Sequence, residues 1–69
     1  MQTIKVYCKN PQDVFSALQT KFKTRKWKAS CRMVHDGSIS IACQDPMTLC
    51  QVETFLEMII SDEYQTVDE

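Results

Sequence analysis

Sixty-nine residues, 43% of them apolar, 25% charged and one a glycine, describe a single small folded unit and argue against a multi-step enzyme. The formal net charge of −1 hides a strong asymmetry: all eight Lys and Arg residues fall within residues 1–35 beside one acid, Asp13, a balance of +7, whereas residues 36–69 hold eight acids and no Lys or Arg, a balance of −8. A core this small barely outweighs conformational entropy, so the chain is expected to rely on close packing, a partner or self-association.

The longest apolar stretch, residues 55–60, is interrupted by Glu57 and falls far short of the roughly 20 residues that span a bilayer. No cationic apolar leader follows Met1, which predicts an intracellular, cytoplasmic protein with no membrane partner. In that setting the four cysteines, Cys8, Cys31, Cys43 and Cys50, are expected as free thiols rather than a disulfide framework.

Residues 3–8 alternate, Ile4, Val6 and Cys8 against Thr3, Lys5 and Tyr7, which predicts a half-buried first strand. Asn10 as a side-chain cap, Pro11 at the first helical position and Asp13 near the positive dipole end then open a helix to about Phe22. Val14, Phe15, Leu18 and Phe22 make its apolar face.

Residues 26–34 alternate again, with Trp27, Ala29, Cys31 and Met33 inward and Lys26, Lys28, Ser30, Arg32 and Val34 outward. Residues 38–43 set Ile39, Ile41 and Cys43 against Ser38, Ser40 and Ala42, so the two runs form a hairpin. A two-residue Asp36-Gly37 loop would pair Arg32 with Ile41 and mix the faces. A three-residue loop, His35 to Gly37 with the glycine left-handed, pairs Met33 with Ile39 and Cys31 with Ile41 and keeps each face pure.

Asp45-Pro46 opens a second helix to about Ser61, with Leu49, Val52, Phe55, Leu56, Ile59 and Ile60 as its buried stripe and Gln51, Thr54 and Glu57 outward. Residues 62–69 are acidic and show no periodicity, which reads as a frayed tail after a single domain of residues 1–61. The order β-α-β-β-α gives an α+β two-layer sandwich: a three-stranded sheet with both helices on one face. The third strand is expected between the other two and antiparallel to both, with a parallel pairing of the first and second as the competitor.

No catalytic constellation stands out. The cysteines lack the close pairs that bind zinc, and three of them fall on inward strand phases where a thiol acts as a small hydrophobe. His35 sits at a turn tip beside Asp36, with no walls to exclude water, and is better read as turn chemistry. No enzyme activity, cofactor or metal is therefore expected.

The segment 21–32 places six cations in twelve residues around Trp27. Nucleic-acid binders combine such charge with stacking aromatics, but the inward phase of Trp27 leaves Tyr7 as the single aromatic on the open face. The plainer reading is a solvated strand whose lysines discourage edge aggregation. The expected function is a small protein-binding module, a regulator, adaptor or inhibitor, that docks on a larger protein. The expected contacts are Lys5, Tyr7, Lys26, Lys28, Arg32 and Ser40 on the basic sheet face and Glu53 and Glu57 on the acidic helix. Homodimerisation through a strand edge or the sheet face is a further mode, and nucleic acid bound on the basic face is the alternative.

Overall fold

The computed structural model describes residues 2–68, so Met1 and Glu69, the outer ends of the expected domain and tail, lie outside the described residues. Its elements are β1 (Gln2–Tyr7), α1 (Pro11–Arg25), β2 (Ala29–Met33), β3 (Ile39–Cys43), α2 (Pro46–Ile59) and β4 (Gln65–Asp68). All strand pairs are antiparallel, in the order β2-β3-β1-β4. The fold is α+β with two helices.

The sheet corrects the sequence reading in one respect, because it has four strands rather than three. Gln65–Asp68, within the segment read as a frayed tail, pairs with β1 along Tyr7↔Gln65 to Ile4↔Asp68. All four of its residues are exposed, so it carries no buried alternation and is held by main-chain pairing at the sheet edge. Half-buried Tyr64, packed against the core, anchors its start. The expected central position of β3 is found: β1 and β2 run parallel to each other, separated by β3, and β3 and β4 run parallel, separated by β1. This is a split β-α-β arrangement in which each helix connects strands that do not touch.

The hairpin follows the face-pure register. Met33 pairs with Ile39 and Cys31 with Ile41, Val34 N–H donates to the Ser38 carbonyl at 2.9 Å, and Gly37 N–H donates to Val34 at 3.0 Å. Gly37 has φ +88°, in the left-handed region that a three-residue loop requires and that a Cβ disfavours. Asp36 Oδ1 closes the turn by accepting from Ser38 N–H at 2.9 Å and Ser38 Oγ–H at 2.6 Å.

Helix α1 runs one turn beyond the expected Phe22, because Lys23, Thr24 and Arg25 continue as a solvated end whose cations suit the negative dipole terminus. Pro11 opens it as expected, but the Asn10 side chain makes no capping hydrogen bond. Helix α2 ends at Ile59, two residues before the expected Ser61, and Asp45 caps it, its Oδ1 accepting from Thr48 N–H at 2.7 Å. Val14 and Leu18 from α1 and Val52 and Leu56 from α2 meet Ile4, Val6, Ile39, Ile41 and Cys43 in one core. At the seam of the two helices, Trp27 packs against Phe22 at 6.0 Å and edge-on against Phe55 at 6.1 Å.

Candidate functional site

The face of the sheet turned away from the core is organised by register. Arg32, Ser40, Lys5 and Val67 form one row across all four strands. Ser30, Ala42 and Thr3 form the row beside it. With strands about 4.8 Å apart, the two cations bracket Ser40 over about 10 Å. Ser40 is only 5% exposed and Ser38 is fully buried, so small side chains floor a trough and longer ones wall it. A depression of about 100 Å³ lies between Arg32 and the serines of β2 and β3.

Toward the hairpin turn, Tyr7 Oη donates to Asp36 Oδ2 across a long 3.5 Å. The Ser38 hydroxyl and then its N–H hold the Asp36 carboxyl below the usual carboxylate range, with Lys5 and Tyr7 adding to the effect. The face therefore has a cationic row and, beside it, a carboxylate already engaged by its own turn.

The expected contact residues do not all share this surface. Lys5, Tyr7, Arg32 and Ser40 are brought together on it. Lys28 precedes β2; its carbonyl accepts from Gln44 N–H at 3.1 Å, extending the ladder, and its charge acts on Asp45 behind the stronger effect of Thr48. Lys26 lies off the sheet, at the C-cap of α1, where it adopts φ 54°, ψ 40°. Its outward strand phase fails because the chain must first turn sharply out of the helix before β2 begins. Trp27 likewise sits in that connection rather than in the strand, half-buried among Phe22 and Phe55.

Glu53 and Glu57 are exposed on α2, in the layer on the other side of the sheet. They add to the upward push on the Tyr64 hydroxyl, which is due first to burial, with Glu57 ahead of Glu53. A partner seated on the sheet face and one seated on α2 therefore meet different halves of the charge pattern. Val67, 48% exposed, and Gln65 join the open face without having been foreseen. The run Tyr64-Gln65-Thr66-Val67 carries three residues of high strand propensity, and that was the signal available for it.

Cys43 is buried and Cys8 and Cys31 are half-buried, all in or against the core as their strand phase predicts, while Cys50 is exposed. Burial raises the first three thiols, Cys31 to about 11, so thiolate chemistry is suppressed there near neutral pH. Among the described residues no cluster of three or more His, Cys, Asp or Glu is arranged to hold a metal ion, and no helix is long and apolar enough to cross a membrane. No family model, curated protein or solved structure matches the chain.

Proposed function

We propose that this chain is a non-enzymatic, cytoplasmic protein-binding module that docks an acidic segment of a larger protein across its open sheet face. One observation carries the reading: the Arg32-Ser40-Lys5-Val67 row, which sets two cations on either side of a small-residue floor with an apolar side chain at the end. An extended acidic segment laid across the strands meets Lys5 and Arg32 with its carboxylates and Val67 with an apolar contact. Complementary charge of this kind selects partners and speeds encounter more than it adds affinity. Nucleic acid fits the face less well, since Tyr7 is its only aromatic among the described residues and Asp36 presents a carboxylate where a phosphate would run.

Affinity capture from the source cell with wild type and Arg32→Glu, each with and without nuclease, tests the reading. A nuclease-resistant protein retained by wild type and lost with Arg32→Glu supports it. Equal recovery by both forms overturns it, and a nuclease-sensitive partner transfers the face to nucleic acid.

A further inference from the structure

The helix layer carries a second surface, independent of the sheet face. Successive residues of α2 advance by about 100°, so with Val52 and Leu56 turned into the core, Met47, Cys50, Thr54 and Met58 share an outward arc of about 80°. Met47 and Met58 are 73% and 78% exposed, and Cys50 and Thr54 are exposed between them. This ridge thus presents two large exposed apolar side chains with no charged residue between them, while Glu53 and Glu57 are exposed beside it.

The two flanks of the ridge differ in sign. On the α1 side, Lys21 Nζ stands 5.2 Å from the centroid of the Phe55 ring. Beside it a groove of about 360 Å³ opens between the helices, walled by Lys21, Arg25 and Met58 and including Trp27 in its lining. On the opposite side stand Glu53 and Glu57, about 160° round the helix from Phe55. The fields of both reach Tyr64, which leads into the edge strand β4. Within one copy the cation pair Lys21/Arg25 and the acid pair Glu53/Glu57 are thus held apart by the ridge. Both pairs have the same i, i+4 spacing, about 6 Å along a helix.

We infer that a second copy of this chain covers the ridge, its α2 lying parallel to the first about a two-fold axis that runs along the helices. That symmetry carries the acid flank of each copy onto the cation flank of the other, and does so twice. An antiparallel pairing sets acid against acid and cation against cation, so charge selects the parallel form. The flexible, polarizable Met47 and Met58 side chains adapt to their counterparts across the axis, and Cys50 approaches Cys50 of the other copy. One helix pair makes a small interface, so association in the micromolar range is expected. The sheet faces stay outward and available in the dimer.

Sedimentation velocity of the full chain from about 5 to 500 µM at low salt reads the association. Wild type dimerises. The double variant Lys21→Glu/Arg25→Glu and the double variant Glu53→Lys/Glu57→Lys each raise the dissociation constant by about tenfold or more, and an equimolar mixture of the two restores dimers through one fully complementary interface. Thr54→Arg, on the exposed ridge, also gives monomer, with circular dichroism reporting an intact fold. A short bis-maleimide cross-links wild type through Cys50, and Cys50→Ser abolishes the product. Monomeric wild type across this range overturns the inference. A dimer that survives Thr54→Arg, or ignores both charge reversals, uses another surface such as the β2 edge and overturns it equally.

Discussion

Lys5 and Arg32 stand in one cross-strand row on either side of Ser40, brought together because β3 pairs with β1 and β2 at once. About 10 Å apart, they lie near one Debye length of each other at physiological salt, so an approaching partner meets them as one field. Reversal of either charge is expected to slow association with the proposed acidic partner by about tenfold and to flatten its salt dependence, with a smaller change in the dissociation rate. Surface plasmon resonance with Lys5→Glu and Arg32→Glu across a salt series checks this. An effect confined to dissociation would place the contact in a desolvated interface centre instead.

Trp27 packs against both helices at the margin of the core. Its ring contacts Phe22 of α1 at 6.0 Å and Phe55 of α2 at 6.1 Å, so truncation removes packing from both helices together. Trp27→Ala is expected to destabilise the fold by about 2–3 kcal/mol, below the usual cost of a fully buried tryptophan because the side chain is only half-buried. Urea denaturation followed by circular dichroism measures it, and Trp27→Phe is expected to recover more than half of the loss.

What the sequence made legible depended on whether a residue's partner was water or core. The register of the hairpin could be derived because a one-residue slip would have buried Arg32 beside Ile41, a cost large enough to decide the pairing. The inward thiols followed from the same alternation, whereas the central position of β3, which alternation does not determine, was expected and is found. Strand β4 escaped because none of its residues is buried: its stabilisation comes from main-chain pairing with β1, which leaves no mark in the hydrophobic pattern. Lys26 and Trp27 lie before β2 rather than in it, although Trp27 packs against the core as its inward phase predicts, because alternation also continues by accident through a helix-to-strand connection, where the backbone conformation at Lys26 sets direction. The basic face was legible in part, Lys5, Tyr7, Arg32 and Ser40 being correctly grouped. The separation of Lys21/Arg25 from Glu53/Glu57 needed the packing of α1 against α2.

Lys26 occupies the position after the last turn of α1 in the left-handed region, φ 54°, where glycine is the favoured residue. A side chain with a Cβ is held there at a cost of about 1 kcal/mol. Lys26→Gly is therefore expected to stabilise the protein by about 0.5–1 kcal/mol, partly offset by the added freedom of glycine in the unfolded chain. Chemical denaturation of the pair checks the sign. An equally favourable Lys26→Asn, which tolerates the same conformation, would separate backbone relief from the loss of a cation at the helix end.

Asp36 and Asp45 tie stability to pH through one mechanism at two turns. Each carboxylate accepts hydrogen bonds from the residues it caps, Asp36 from the Ser38 hydroxyl and N–H and Asp45 first from Thr48 N–H, and each is thereby held below its ordinary range. Because the folded state lowers these values, it binds fewer protons than the unfolded chain. The stabilisation is complete above the ordinary aspartate value of about 3.9 and is lost as pH falls through the lower folded values. The melting temperature is therefore expected to hold steady from pH 7 to about 5 and to drop on further acidification. Asp45→Ala, which removes the cap of α2, is expected to lower the melting temperature by a few degrees at neutral pH and to shallow the acid limb, the two curves converging where Asp45 is protonated in both folded and unfolded wild type. Curves that run parallel to the lowest pH would show that the loss is one of packing, independent of the carboxylate charge.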